Sequence, residues 1–151
     1  MDQDNGLDRL GRRLVQSVRD EMILSLDAAL DGQRRDVFSK HLHARTQNLS
    51  PECRAFVEEL VPFLVDSTLE VFLQVLDVDL ARNGEQQELS LRVRNQVGEW
   101  LDAAQQTDSL EAEYGGVEGW VERFSQQRPN SLQQEVQQHM GLRPTPGQSG
   151  K

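Results

Sequence analysis

Residues 50–76 read SPECRAFVEELVPFLVDSTLEVFLQVL, and this stretch determines the fold. Ser50 can cap a helix, Pro51 suits the first helical position, where its missing N–H does no harm, and Glu52 complements the helix dipole. The residues that follow are apolar on almost every side of a helix, which predicts a central, buried helix. Pro62 lies inside this segment and should kink the helix or divide it one turn earlier.

A long amphipathic helix is predicted ahead of this segment, from about Leu7 to Leu30. Its apolar residues recur at spacings of three and four: Leu7, Leu10, Leu14, Val15, Val18, Met22, Ile23, Leu26 and Leu30. Asp4 or Asn5 can cap its start, and Gly32 is placed to end it. Gly11 inside the helix costs about 1 kcal/mol relative to alanine, so we expect tertiary packing to stabilise it.

The next segment, Gln33 to Gln47, predicts a shorter helix with Val37, Phe38, His41 and Leu42 on one face. His41-x-His43 is the only close histidine pair. Residues two apart on a helix point in nearly opposite directions, so the pair is poorly placed to hold one metal ion.

The hydrophobic period changes from helical to alternating after Leu76. Residues 89–94 alternate apolar and polar side chains, which predicts a half-buried strand with Leu89, Leu91 and Val93 facing inward. Its partner is either 77–81 or, after the Asn95-Gln96 turn, 97–101. Residues 97–106 also fit a helical period, which leaves a helix open there.

The C-terminal part predicts short elements. Residues 107–116 have the composition of a loop. Residues 117–127 fit a helix with four inward-facing side chains, namely Val117, Trp120, Val121 and Phe124. Ser131 and Gln134 form a capping box for a last helix through about Met140. The chain should therefore be one mainly helical α+β domain over 1–140, in which the long N-terminal helix packs on the central apolar helix. It should also contain a small β-hairpin, short C-terminal helices and a disordered tail over 141–151.

The charge balance limits the classes of partner. Lys and Arg number 16 against 25 Asp and Glu, a net charge of −9, and residues 51–128 alone hold six basic and sixteen acidic groups. Such a chain lacks the basic face that nucleic acid or an anionic membrane requires. The single cysteine, the absence of a signal peptide and the absence of a long apolar run predict a cytoplasmic protein that neither enters nor crosses a membrane.

No familiar catalytic or cofactor motif occurs in the chain, so we expect a protein that is not an enzyme and binds neither metal nor cofactor. Cys53 lacks a recognisable base, and Asp77-x-Asp79 is followed by Ala81 and Arg82 where a calcium loop needs an oxygen ligand and glycine. Asp66 and Glu70 interrupt the central helix four residues apart, which favours an outward polar stripe over the wall of a catalytic pocket.

A cluster of carboxylates with two aromatic residues is the most suggestive feature of the sequence. Carboxylates steer and pair with basic groups, and aromatic side chains supply contact area. The predicted site for a basic protein partner comprises Glu99, Asp102, Asp108, Glu111, Glu113, Tyr114, Glu118, Trp120 and Glu122. The simpler interpretation is a solubilising face. Two other functions stay open: a self-associating adaptor domain that uses an apolar face of the first helix, and an enzyme with a pocket around Asp66, Thr68 and Glu70.

Two features give the chain a resemblance to small bacterial proteins. One is the apolar helix that starts at Ser50-Pro51, and the other is a late Gly-x-x-Gly-Trp-x-x-Arg-Phe-Ser segment over 116–125. Asp108-Ser109 stands where the pattern has Asp-Gly. The resemblance itself implies no particular activity, but in size and charge the chain is similar to immunity proteins. That similarity suggests an inhibitor that blocks a basic, nuclease-like toxin.

Overall fold

The computed structural model describes residues 6–83, 90–95 and 97–142, with the backbone alone over 78–83. The chain is a mainly helical α+β fold, as predicted. Its elements, in order, are α1 (Gly6–Leu14), a π-helical turn (Val15–Asp20), α2 (Glu21–Leu30), α3 (Val37–Thr46), α4 (Pro51–Asn83), β1 (Arg92–Arg94), β2 (Trp100–Asp102), a 3₁₀ turn (Ala103–Gln105), α5 (Leu110–Gly115), α6 (Trp120–Phe124) and α7 (Ser131–His139). The predicted caps Asp4 and Asn5 and most of the predicted tail lie outside the described residues.

The long N-terminal helix is present, but a π-helical turn interrupts its period. Val15, the first residue of this turn, and Ile23 beyond it are completely buried, whereas Val18 within the turn is 39% exposed. The wider π turn rotates the later residues relative to a regular helix, so the predicted stripe is wrong at Val18 and at Met22, which is 48% exposed. Gly32 ends the helix with φ of 73°, and the N–H groups of Gly32 and Gln33 bond to the carbonyls of Ala29 and Ala28.

Helix α4 begins as predicted, with the Ser50 hydroxyl accepting the Cys53 N–H at 3.2 Å. Pro62 does not divide it. A proline leaves the carbonyl four residues earlier without its helical donor, and here Arg128 donates to the Glu58 carbonyl at 2.9 Å. The helix continues to Asn83. The alternative strand at 77–81 is therefore wrong.

The core lies on one side of α4 and has two parts. The first brings together the N-terminal helix, the hairpin and α5–α6, with buried Val15, Leu73, Leu76, Val93, Ala103, Ala104, Leu110, Tyr114 and Trp120. The second packs α2 on the first half of α4 through Ile23, Leu30, Val61 and Val65. The opposite face of α4 is exposed, so the predicted burial of this helix on every side is wrong.

The β-hairpin pairs β1 with β2 in antiparallel register, with Val93 opposite Leu101. Val93 is buried and Leu91 packs on the core, as predicted, while Leu89 lies outside the described residues. The second predicted partner is therefore confirmed. The helical alternative for 97–106 is wrong, because only the 3₁₀ turn over Ala103–Gln105 is helical there. The Asp102 carboxylate caps this turn by accepting the Ala104 N–H.

Three shorter helices differ from the sequence-based prediction. Helix α5 forms within the predicted loop. Helix α7 is capped by Asn130, whose side chain accepts the Gln133 N–H at 3.1 Å, and not by Ser131. In α3 the expected apolar face is wrong, because Val37 is 86% and Phe38 69% exposed.

Gly11 provides the space for the Trp120 indole ring. A Cβ atom at Gly11 would lie 2.5 Å from Cε2 of Trp120, well inside van der Waals contact. The glycine that weakens the helix in isolation is thus required by the packing of α6 against α1.

Substituting Gly11→Ala should lower the free energy of unfolding by about 1–3 kcal/mol, as overpacked cores do. In a Trp120→Leu background the same change should be stabilising by up to about 1 kcal/mol, because only helix propensity remains. Urea unfolding followed by far-UV circular dichroism measures both. The same sign in both backgrounds would contradict the steric explanation.

Candidate functional site

Asp77 in the last turns of α4 holds the start of α5. Its carboxylate accepts hydrogen bonds from the Ser109 hydroxyl at 3.1 Å and from the N–H groups of Leu110 and Glu111 at 3.1 and 3.3 Å. The Ser109 hydroxyl in turn accepts the Ala112 N–H. These bonds satisfy the free N–H groups of a six-residue helix that propensity alone would not stabilise.

A tight turn follows α5. The Gly119 N–H bonds to the Gly116 carbonyl at 2.9 Å, and Glu118 between them has φ of 63°. This left-handed conformation favours glycine and is strained for glutamate. A Cβ at Gly119 would lie 2.8 Å from the Glu113 carbonyl oxygen, so this glycine is required by the close approach of the backbone.

Three of the predicted acidic residues line one depression beside this turn. Asp108, Glu113 and Glu118 line a depression of about 320 Å³ together with Val117. The predicted inward orientation of Val117 is wrong, because it precedes α6 and is 48% exposed. The Glu113 carboxylate accepts the Thr107 hydroxyl at 3.0 Å. Within the described part of the chain, no cationic side chain forms an ion pair with these three carboxylates.

The other predicted acidic residues lie around or away from this depression. Glu122 adjoins it, because its carboxylate accepts the Glu118 N–H at 2.8 Å. Glu99 is exposed in the hairpin turn, where it accepts from Asn95, and Asp102 caps the 3₁₀ turn. Glu111 is half-buried and close enough to act on the pKa of Glu70. These last three residues do not line the depression.

The two aromatic residues predicted for the surface are both buried. Tyr114 and Trp120 have no exposed surface and belong to the core. The expectation that they supply contact area is wrong, because each is placed by a short helix that turns it toward α4 or α1. Trp100 on β2, by contrast, is 63% exposed, with the Arg94 guanidinium 5.9 Å from its ring centroid.

Asp66 lies at the centre of a buried polar network and not on an outward stripe. Its two oxygens accept from Nε and Nη2 of Arg19 at 2.6 and 3.1 Å, and it also accepts the Tyr114 hydroxyl at 2.8 Å. Burial, together with the Asp66 carboxylate, raises the pKa of Tyr114 above its usual range, so the phenol remains a donor. The predicted outward orientation is wrong, since Asp66 is only 1% exposed.

The network extends from Arg19 to the C-terminal segment. Arg19 also donates to the Asp20 carboxylate at 3.2 Å, to the Ser125 hydroxyl at 2.8 Å and to the Arg128 carbonyl at 3.2 Å. The Ser125 hydroxyl donates to Asp20 at 2.7 Å. Every N–H group of the guanidinium thus donates to a protein oxygen. The acceptors belong to the adjacent Asp20 or to distant parts of the chain, and a buried charge requires such complete pairing.

The residues proposed for a catalytic pocket near Asp66 do not converge. Both Asp66 oxygens are occupied by Arg19 and Tyr114, whereas Thr68 is exposed on the other side of α4 and bonds to the Leu64 carbonyl. Glu70 is half-buried and accepts from Gln133 at 2.8 Å. Burial raises the pKa of Glu70, and the Asp66 and Glu111 carboxylates raise it further against the lowering effect of the Gln133 hydrogen bond.

The Gly-x-x-Gly-Trp-x-x-Arg-Phe-Ser segment has structural roles throughout. Its two glycines form the turn, Trp120 fills the space above Gly11, and Arg123 pairs with Asp8 at 2.9 Å. Ser125 completes the buried network. The segment therefore joins the C-terminal part to the N-terminal helix.

The histidines and the cysteine do not form a ligand cluster. His41 is exposed, while His43 bonds through Nδ1 to the Leu30 carbonyl at 2.7 Å, and Cys53 is exposed at the start of α4. No group of three or more potential metal ligands occurs among the residues that the structure describes. None of the described helices combines the length and apolar character needed to cross a membrane.

Comparisons with protein-family models, curated proteins and solved structures give no match for this chain. The similarity to immunity proteins and to small bacterial proteins therefore stays a prediction.

Replacing Asp66→Ala should lower the free energy of unfolding by about 3–5 kcal/mol, because it leaves the buried Arg19 guanidinium without its main partner. The matched control is Asp31→Ala, which removes a 2.5 Å ion pair with Arg54 whose side chains are 43% and 46% exposed. This change should cost less than about 1 kcal/mol. If urea unfolding shows equal losses of unfolding free energy for Asp66→Ala and Asp31→Ala, the central role of the network is contradicted.

Glu70→Gln should stabilise the protein at neutral pH. A carboxyl whose pKa is raised on folding binds its proton more tightly in the folded state, so its contribution to stability falls as the pH rises from the unfolded pKa through the folded one. A glutamine at position 70 does not titrate, so it removes this fall in stability, and its amide oxygen still accepts the hydrogen bond from Gln133. Urea unfolding from pH 4 to 7 should show a flatter profile than wild type, whereas the exposed control Glu59→Gln should not change it. A variant that is less stable at pH 7 would refute this.

Proposed function

We propose that the chain is a non-catalytic binding protein that presents the depression formed by Asp108, Glu113 and Glu118 to a basic protein partner. The observation that carries this proposal is that Asp108, Glu113 and Glu118 line one depression together with the exposed Val117. An arginine or lysine side chain has a charged head and an aliphatic stem. The acidic residues of the depression can bind the head, and Val117 can contact the stem.

The composition of the rest of the molecule supports a partner of opposite charge. Residues 51–128 have a net charge of −10, against −9 for the whole chain. Such a field steers a basic protein toward the surface and raises the rate of association. A solubilising face alone does not require three carboxylates around one concave depression.

The strained Glu118 residue gives independent support. Glycine would adopt φ of 63° without strain, yet this turn places a glutamate at that position. Strained residues occur where function maintains them. In this proposal the turn presents the Glu118 carboxylate at the rim of the depression.

Inhibition of a basic, nuclease-like toxin is the form of this function that we favour. Nuclease active sites attract phosphate, and a cluster of carboxylates on a small protein can occupy the same positive surface. The acidic depression would then act as a mimic of the substrate's charge.

The test compares two triple variants of equal net charge. Asp108→Asn/Glu113→Gln/Glu118→Gln neutralises the depression, and Glu21→Gln/Glu52→Gln/Glu59→Gln neutralises three exposed carboxylates elsewhere. We expect the first to weaken binding of a captured basic partner by about three- to 150-fold, because exposed pairs contribute roughly 0.2–1 kcal/mol each. The second should bind like wild type.

The partner is obtained by affinity capture from lysate of the producing cell and is then titrated by calorimetry at low and high salt. Loss of affinity at high salt is expected of a charge-guided interface. Equal binding by the two triple variants would refute the site, and a captured partner without a basic surface would refute the function.

Glu118→Gly should have opposite effects on stability and binding. Relief of the left-handed strain should raise the free energy of unfolding by about 1 kcal/mol, while loss of the carboxylate weakens the partner complex. Urea unfolding and the calorimetric titration measure the two effects. A variant that binds as well as wild type would show that Glu118 does not contribute to the surface.

A further inference from the structure

The outer face of α4 is an apolar surface that nothing in the described molecule covers. We define this outer face by Leu60, Leu64, Ser67, Thr68, Val71 and Val75, flanked by Phe56, Phe63 and Phe72. Leu64, Val71 and Val75 are 57%, 59% and 53% exposed, and Phe56 is 54% exposed. The outer face lies opposite the side of α4 that contributes Val61, Val65, Leu73 and Leu76 to the core.

We propose that the outer face of α4 binds the same face of a second copy of this chain in antiparallel orientation. The two-fold axis passes between Ser67 and Thr68. This proposal does not depend on the acidic depression or on its partner.

The residue pattern of the outer face is complementary to itself about that axis. Positions 60 and 75, 64 and 71, and 63 and 72 are equally distant from the midpoint between 67 and 68. Antiparallel pairing therefore places leucine against valine twice, while Phe63 and Phe72, which lie on opposite sides of the helix, border the interface on its two edges. The small residues Ser67 and Thr68 meet at the axis, where two helix backbones approach most closely.

Of the two hydroxyl groups at the axis, that of Thr68 is already satisfied within its own helix. The Thr68 hydroxyl donates to the Leu64 carbonyl at 2.7 Å. Its burial between two helices therefore leaves no unpaired donor, and the usual penalty for burying a hydroxyl is avoided.

Charge favours a second copy over a basic or acidic partner. The positions that share the outer face between 53 and 75 carry no charged side chain, although the chain has a net charge of −9. A basic partner would find no carboxylate there. Two copies can join through this uncharged face, and antiparallel helices also place opposite ends of their dipoles together.

The area suits an interface, and this sequence contains no segment able to cover it. Six large side chains that each expose 38–59% of their surface form a patch on the order of 500 Å² or more, at the upper end for a monomer. With its polar surroundings it approaches the roughly 800 Å² per partner of a standard interface. Outside the described residues, the large apolar side chains are only Met1 and Leu89.

The first test is the mass of the protein in solution. Sedimentation equilibrium from micromolar to submillimolar concentration should show a reversible shift to twice the monomer mass. Leu64→Lys should raise the dimer dissociation constant at least tenfold, because a lysine then lies beside the axis. The matched control Val37→Lys, which places the same charge at an exposed valine on α3, should leave the dimer unchanged. A monomer at every concentration overturns the proposal, as does equal dimerisation of the two variants.

The second test checks the register by oxidation. In a Cys53→Ser background, Ser67→Cys and Thr68→Cys chains mixed in equal amounts should form an intermolecular disulfide, because these residues meet at the axis. Native Cys53 should not link to its copy, since antiparallel pairing places it opposite position 82, about 40 Å along the helix. A Cys53–Cys53 linked dimer, or no linkage between 67 and 68, would overturn the antiparallel arrangement.

Discussion

The ion pair between Arg19 and Asp66 is the interaction on which the rest of the structure depends. It joins the N-terminal helix to α4 with both charges buried, and Tyr114 and Ser125 connect it to α5 and to the segment after α6. A buried charge is stable only when its hydrogen-bonding groups are satisfied. Four parts of the chain must therefore assemble together, which specifies one arrangement of otherwise similar helices.

The same network explains why short helices are stable in this protein. Helix α5 has six residues and α6 has five, lengths that are marginal in isolation. Tyr114 in α5 bonds to Asp66, while Asp77 caps the start of that helix. Because α4 positions α5, it also positions Glu113 of the depression. Asp108 and Glu118 lie in the short segments directly before and after α5, so the long helix holds them through that helix.

Helix α4 has two different faces, and each serves a different purpose. Its inner face carries the core, the buried carboxylate and the cap of α5. Its outer face is apolar and uncharged over about six turns. The proposed acidic site depends on the inner face because α5 packs there, and the proposed pairing of two copies uses the outer face. Both can therefore operate in one molecule.

The sequence by itself determined the features that arise from local physical chemistry. Ser50 and Pro51 predicted the start of α4, Gly32 the end of the N-terminal helix, and the alternation through Val93 the strand, because capping, backbone freedom and hydrophobic period are encoded within a few residues. The acidic character of the C-terminal half was also evident from composition.

Only the tertiary structure decided which face of α4 is covered, since an all-apolar helix has no pattern that distinguishes core from interface. It also decided that Asp66 is buried, because its partner Arg19 is 47 residues away in the chain. The same is true of Tyr114 and Trp120, whose burial depends on Asp66 and Gly11 in distant helices. Long-range pairing of this kind leaves no local signal, so the sequence could place the carboxylates of the site but not its shape.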